Sequence, residues 1–111
     1  MLAFNDNNFD VKTNIKVAST RPVWEANAAT MKLVEITKAL AKELGTASYH
    51  ESSGGGSDGN FTGVMGIPTL DGLGVAGDKF HTLEEYIEIQ SLSMRGKLMA
   101  GLLMAINGSE F

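Results

Sequence analysis

Glycine is concentrated in one part of this chain. Residues 51–86, "ESSGGGSDGNFTGVMGIPTLDGLGVAGDKFHTLEEY", contain nine of the thirteen glycines. Because glycine has no Cβ atom, it favours turns and left-handed backbone but weakens the interior of a helix or a strand. The region therefore disfavours any long regular element and predicts short elements joined by turns.

Composition narrows the class of protein. The 111 residues suit one modest domain. Cysteine is absent, which excludes disulfides and thiolate metal sites. The net charge of −4, without a lysine or arginine cluster, argues against a nucleic-acid partner. No apolar run reaches the roughly 18–20 residues of a membrane span, and the first residues lack the pattern of a signal peptide. We therefore expect no membrane partner and a cytoplasmic location.

The clearest helical pattern precedes the glycine-rich region, in residues 21–45 ("RPVWEANAATMKLVEITKALAKELG"). Apolar residues recur mostly every three or four positions and form one stripe. Its members are Met31, Val34, Ile36, Leu40 and Leu44. Pro22 stands before this helix, and Gly45 lies where a left-handed residue commonly ends one.

Two further helices are predicted. Residues 59–65 ("GNFTGVM") form a short helix closed by Gly66, and residues 91–107 ("SLSMRGKLMAGLLMAIN") form the last one. Ser91 is the expected N-cap of the last helix, because serine side chains accept hydrogen bonds from the first free N–H groups.

Two strands are predicted around the short helix, at residues 46–51 ("TASYHE") and 67–74 ("IPTLDGLG"). A strand, a helix and a strand in this order are typical of a right-handed parallel crossover. Residues 1–20 alternate weakly and suit a single strand that lacks a partner. The expected fold class is α/β, with three helices around two short parallel strands. Such a narrow sheet needs neighbours at both edges.

The glycine turn that leads into the short helix is a candidate anion site. Gly55, Gly56 and Ser57 would present backbone N–H groups at the positive end of a helix dipole, which suits a phosphate or a carboxylate. The turn lacks the lysine of a P-loop and the spacing of a dinucleotide fingerprint. A purely structural turn, in which Ser57 or Asp58 caps the helix, explains the same residues.

His81 is the second candidate. It follows a predicted parallel strand, and loops at the carboxyl ends of such strands often bind ligands. Histidine there can bind a metal or transfer a proton, although a lone histidine is more often a surface or packing residue. The next residues, "TLEE", match a capping box that starts at Thr82 and predict a helix start.

Residues 53–103 also resemble the C-terminal part of a family of zinc metallopeptidases, and the resemblance runs from about residue 10 to about residue 105. That family includes glutamate carboxypeptidase, acetylornithine deacetylase, succinyl-diaminopimelate desuccinylase and aminoacylase, and "GIPTLDGLG" and "RPVWEAN" are most similar to the glutamate carboxypeptidase branch. The family pattern is approximately GG-x-SDG-x-F, G-x-G, G-x-x-x-H, E-Y and S-x-x-x-R. The residues that match it are Gly55, Gly56, Ser57, Asp58, Gly59, Phe61, Gly72, Gly74, Gly77, His81, Glu85, Tyr86, Ser91 and Arg95.

The resemblance implies a part of an α/β/α sandwich and a set of site residues. His81 would bind one of two zinc ions, which together polarise the scissile amide carbonyl and share an attacking hydroxide. Gly55, Gly56 and Ser57 would contact the substrate, and Arg21 would hold its terminal carboxylate. The substrate would be a small peptide or an N-acyl amino acid.

The family's other metal ligands and its general base have no counterpart here, because neither histidine lies in an H-x-D motif. We therefore expect the C-terminal section of a larger enzyme, with no catalytic residue of its own and no activity alone. Residues 1–20 would end a lid-domain strand and cross over, and residues 21–111 would belong to the catalytic domain. Open strand edges predict self-association. The alternative is an independent small binding or interaction module.

Overall fold

A computed structural model describes residues 12–18, 21–48 and 50–107. This described part is α/β, with three helices and one two-stranded antiparallel sheet. In chain order the elements are α1 (Ala28–Glu43), α2 (Gly59–Val64), β1 (Gly77–Asp78), β2 (Tyr86–Ile87) and α3 (Ile89–Ile106). The three predicted helices are therefore confirmed, although their ends differ from the expected ones.

Helix α1 has a side-chain cap at its start and a left-handed glycine at its end. Asn27 Oδ1 accepts a hydrogen bond of 2.8 Å from the N–H of Thr30. At the other end Gly45 has a φ of +73°, and the N–H of Thr46 donates to the carbonyl of Ala41 at 2.9 Å. This is the Schellman arrangement, so the predicted role of Gly45 is confirmed.

The apolar core lies between α1 and α3. Its buried members are Leu33, Val34, Ala41, Leu98 and Leu102. A Cβ atom on Gly101 would lie 3.4 Å from a methyl carbon of Leu40, so the missing side chain lets the two helices approach closely. The fold is less compact than is usual for its size: the radius of gyration is 19.4 Å, whereas a compact domain of 100 residues has about 13 Å.

Helix α2 lies against the indole ring of Trp24. Gly63 is buried there, and a Cβ atom on it would overlap the ring. The amide of Asn27 donates to the carbonyl of Gly66 at 3.1 Å, just beyond the helix. Gly66 has a φ of +81° and ends α2 as expected. Trp24 is thus a packing residue that holds α2 beside the segment before α1.

Strands β1 and β2 form a hairpin at the start of α3. Gly77 faces Ile87 and Asp78 faces Tyr86. A Cβ atom on Gly77 would overlap the Tyr86 carbonyl oxygen, so only glycine permits this approach. The N–H of the neighbouring Ala76 donates to the hydroxyl of Ser91 at 2.9 Å, which joins the base of the hairpin to α3.

The prediction of two parallel strands is wrong for the described residues. Residues 46–48, 50–51 and 67–74 form no strand, and the observed strands lie elsewhere and run antiparallel. A parallel pair needs a crossover and neighbouring strands, whereas a hairpin completes its hydrogen bonds locally. Of the expected strand in residues 1–20, residues 12–18 form none, and residues 1–11 and 19–20 lie outside the described part.

Two predicted helix starts are also wrong. No helix begins at Thr82; its hydroxyl instead donates to the Lys79 carbonyl at 2.7 Å and accepts from the Glu84 N–H at 3.2 Å, within the hairpin loop. Helix α3 begins at Ile89, so Ser91 lies inside its first turn. The Ser91 hydroxyl is used by the hairpin contact, and it donates to a carbonyl rather than capping the helix.

Two glycine-to-alanine changes in helices should have opposite effects on the free energy of unfolding, because only Gly63 contacts Trp24. Gly63→Ala forces the indole ring or α2 to move, so we expect a loss of about 1–3 kcal/mol in the free energy of unfolding. Gly96→Ala in α3 meets open space. It should therefore gain about 0.5–1 kcal/mol from the better helix propensity of alanine.

Urea unfolding measures both changes, and fluorescence reports the first directly because Trp24 is the chain's one tryptophan. We expect the emission maximum to move to longer wavelength in Gly63→Ala alone. Equal stability of the two variants, with unchanged emission, would show that α2 does not pack on Trp24.

Candidate functional site

The glycine turn is held by a reciprocal pair of hydrogen bonds. The Ser57 hydroxyl accepts from the N–H of Gly59 at 2.9 Å, and the N–H of Ser57 donates to Oδ1 of Asn60 at 2.9 Å. This is the geometry of a capping box, with asparagine in the place of the usual glutamate or glutamine. The Ser57 side chain therefore caps α2, as expected, whereas the Asp58 side chain makes no capping hydrogen bond.

The structure brings Arg21 against this turn. Cδ of Arg21 would lie 3.1 Å from a Cβ atom on Gly56, so a side chain at that position would press on it. Nη2 of Arg21 donates to Oδ1 of Asp58 at 3.0 Å. The spacing of the glycines singled out the turn and the family resemblance singled out Arg21, and the fold places them in contact although they are more than 30 residues apart.

The group formed by Arg21 and the turn is equipped to bind a carboxylate. Arginine stays charged and carries five N–H donors in a planar fork. In the described part of the chain, Asp58 occupies only Nη2, and no partner is recorded for Nε, Nη1 or the N–H of Gly56. Nη2 carries a second N–H, and two parallel donors on one edge of the fork, Nη2 with either Nε or Nη1, suit a bidentate pair with a carboxylate.

Asn60 is a supporting residue that sequence reasoning missed. Its Nδ2 donates to the carbonyl of Pro22 at 2.8 Å, while its Oδ1 holds the N–H of Ser57. One amide thereby fixes the turn and also ties it to the segment that carries Arg21. The signal was present in the sequence, because Ser57 and Asn60 have the spacing of a capping box.

His81 lies in the loop of the β1–β2 hairpin, with an exposed side chain and a φ of +65°. Lys79, two residues earlier, has a φ of +59°. Positive φ is uncommon outside glycine, and such strain occurs often at functional sites. An ion pair of 2.6 Å between Lys79 Nζ and Glu84 Oε2 crosses the loop and restrains it.

The described residues do not form a metal centre by themselves. No group of three or more His, Asp or Glu side chains close enough to hold an ion occurs among them. None of their recorded hydrogen bonds and ion pairs joins His81 to the glycine turn. His81 can supply one imidazole donor, and a zinc site usually takes three protein ligands.

None of the helices in the described ranges is long and apolar enough to cross a bilayer.

Comparison with known proteins identifies related sequences over most of the chain. The sequence profile of peptidase family M20/M25/M40 matches residues 7–105. Carboxypeptidase G2 of Pseudomonas sp. (strain RS-16) is 31% identical over 103 residues, which are 89% of this chain and 25% of that relative.

A second relative is the uncharacterized protein YqjE of Bacillus subtilis (strain 168). It is 35% identical over 72 residues, which are 65% of this chain and 19% of that protein. The chain therefore spans a quarter or less of the length of these curated relatives. No solved structure matches it.

The two hydrogen bonds of Asn60 predict that the turn depends on its amide. Asn60→Ala removes both bonds from partly buried groups, and we expect a loss of about 1–3 kcal/mol in unfolding free energy. Amide hydrogen exchange at Ser57 should accelerate, because its N–H loses its acceptor.

Ser53→Ala is the control. The Ser53 hydroxyl accepts a hydrogen bond from Gly55 at 3.1 Å, but the bond is exposed. We expect a change below about 0.5 kcal/mol for this surface substitution. If Asn60→Ala were as mild as Ser53→Ala and left exchange at Ser57 unchanged, the turn would be held by other contacts.

Proposed function

Given that the chain belongs to peptidase family M20/M25/M40, we propose that it forms the carboxylate-binding part of a zinc-dependent carboxypeptidase or N-acyl amino acid amidohydrolase. The observation that carries the proposal is the contact of Arg21 with the turn at Gly56 and Asp58. Carboxypeptidase G2, with a related sequence, bears the name of such an activity.

In this function Arg21 holds the terminal carboxylate of a small peptide or N-acyl amino acid. The guanidinium forms a bidentate pair through the second N–H of Nη2 and its neighbour on that edge, Nε or Nη1, while Asp58 takes the other N–H of Nη2 and so limits the rotation of the fork. Gly55 and Gly56 allow the substrate to approach the backbone, because they carry no side chain. The Ser57 hydroxyl and the N–H of Gly56 donate to the bound carboxylate or to the atoms beside it.

The hydrolytic step needs groups beyond the described residues. Zinc, which members of this family generally use, supplies a Lewis acid and a nucleophilic hydroxide when bound. His81 supplies one imidazole to a centre of two ions, and the other ligands and the general base come from elsewhere. This chain alone therefore has no catalytic residue and is inactive.

A second candidate is an independent binding module for small carboxylates. It is favoured by one observation: Arg21 and the turn are already assembled, whereas no metal cluster is present in the described ranges. Both candidates predict carboxylate binding, and only the first predicts hydrolysis once the rest of an M20 peptidase is supplied. Self-association through strand edges and a cytoplasmic location stay predictions in either case.

A chimera tests the proposed function directly. In it, this chain replaces the segment of carboxypeptidase G2 to which it aligns. We expect hydrolysis of an N-acyl amino acid, and a KM raised about 10- to 100-fold by Arg21→Ala, because a charge-assisted pair is lost. Steady-state kinetics on the acid and on its C-terminal carboxamide measure this effect.

The carboxamide is the internal control, since it offers no anion to Arg21. Arg21→Ala should scarcely change its already poor KM, and Arg21→Lys should recover only part of the loss with the acid. A folded chimera that hydrolyses neither substrate would leave the binding module as the better interpretation. An equal effect on acid and carboxamide would remove the carboxylate role from Arg21.

The two histidines offer a matched test of the metal ligand. His81→Ala should lower the zinc content of the chimera by about one equivalent, because one imidazole donor is lost. His50→Ala should not lower it. Zinc analysis after gel filtration gives the count, and calorimetry on the isolated chain should detect only weak zinc binding. Tight binding by the isolated chain, abolished by His81→Ala, would contradict the proposal.

A further inference from the structure

The loop between β1 and β2 closes through two consecutive turns that share Thr82. The N–H of Thr82 donates to the carbonyl of Lys79 at 3.2 Å, which closes a first turn over residues 79–82. The N–H of Glu85 donates to the carbonyl of Thr82 at 3.3 Å, which closes a second turn over residues 82–85. Bonds between a carbonyl and the N–H three residues later are those of β-turns. Thr82 is therefore the corner at which one turn passes into the next.

His81 occupies the third position of the first turn. Its φ is +65°, whereas Phe80, at the second position, does not have a positive φ. These are the φ signs of a type II turn, whose third position requires positive φ and usually holds glycine or asparagine. A histidine adopts such backbone only where its surroundings hold it there. The loop must therefore contain contacts that keep His81 in this conformation.

The Thr82 side chain supplies such contacts. Its Oγ1 donates to the carbonyl of Lys79 at 2.7 Å and accepts from the N–H of Glu84 at 3.2 Å. The N–H, the carbonyl and the hydroxyl of Thr82 are thus all hydrogen-bonded inside the loop. The hydroxyl thereby ties together main-chain groups on both sides of His81.

The other side-chain contact across the loop is less suited to this task. Lys79 Nζ pairs with Glu84 Oε2, but the two side chains are 52% and 73% exposed. Exposed ion pairs stabilise little, because water screens the charges and two long side chains must be ordered. The Thr82 hydroxyl binds main-chain groups directly, so it controls the path of the backbone more than the ion pair does.

We propose that Thr82 is a positioning residue for His81: its hydroxyl keeps His81 in left-handed backbone and so sets the direction in which the imidazole leaves the loop. The inference rests on the proposed function in taking this imidazole as a zinc ligand. Metal-binding histidines are usually oriented by a hydrogen bond at the second ring nitrogen. Among the described residues His81 has no such partner, so the backbone of the turn does this orienting.

Two substitutions of Thr82 test the role of the hydroxyl in the isolated chain. Thr82→Val keeps the shape of the side chain and removes both of its hydrogen bonds, whereas Thr82→Ser keeps the hydroxyl. NMR reads the backbone of His81, because its amide proton and its Hα proton lie unusually close in left-handed backbone and give a strong intraresidue NOE. We expect Thr82→Val to weaken this NOE and to accelerate amide exchange at Glu84. Thr82→Ser should preserve both signals.

Glu84→Gln is the matched control. It removes the ion pair with Lys79 but leaves the bonds of the Thr82 hydroxyl in place. The NOE at His81 should stay unchanged in this variant. Thr82 is exposed and lies outside the core between α1 and α3, so we expect all three variants to fold.

The same variants in the chimera with carboxypeptidase G2 test the effect on the metal. Thr82→Val should lower the zinc affinity about 10-fold, as is typical when the support of a metal ligand is lost. Thr82→Ser should recover most of this loss, and Glu84→Gln should cause none. Competition with a chelator measures the affinity without relying on hydrolysis.

Three results would overturn the inference. They are an unchanged NOE at His81 in Thr82→Val, a failure of Thr82→Ser to preserve it, and an unchanged zinc affinity of Thr82→Val in a chimera whose affinity falls with His81→Ala. The proposed function is tested separately. If His81→Ala leaves the zinc affinity unchanged while Thr82→Val loses the NOE, His81 is not a zinc ligand, and Thr82 still sets its backbone.

Discussion

The architecture depends on the parallel alignment of the segment before α1 with the glycine turn and α2. The hydrogen bonds that join residues 21–30 to residues 58–69, from the start of this segment into the first turn of α1 and from the turn to just beyond α2, link residues 37, 38, 39 and 39 positions apart. A nearly constant separation means that the two stretches run side by side in the same direction. Arg21 reaches the turn, and Trp24 reaches α2, because both belong to this one alignment.

Two asparagines make the alignment specific in the same way. Asn27 and Asn60 each accept from a backbone N–H at the start of their own helix and each donate to a carbonyl of the opposite stretch. An aspartate could keep the first bond but has no donor for the second. Side-chain amides thus perform here the cross-linking that strand pairing performs in a sheet, and the position of Arg21 relies on them.

Local signals in the sequence predicted the parts of this fold that are decided locally. Gly45 and Gly66 end their helices in left-handed backbone as expected, because a missing Cβ atom acts at its own position. Strand pairing was mispredicted, since a ladder depends on partners that periodicity does not reveal. Thr82 had the right spacing for a helix cap, but the nearby hairpin used its hydroxyl. The contact of Arg21 with Gly56 is equally invisible to periodicity, and only the resemblance pointed to both residues.

The hairpin gives a physical meaning to the spacing of Gly77 and His81. Position 77 must be glycine, because the Tyr86 carbonyl oxygen leaves no room for a Cβ atom there. Four residues later the chain has left the ladder and turned, so His81 falls in the loop. The G-x-x-x-H pattern therefore fixes a distance along the chain. Its glycine is the paired residue of β1, and its histidine lies four residues further on, in the loop. Insertion or deletion of one residue between them would displace the imidazole while leaving every side chain of the pattern intact.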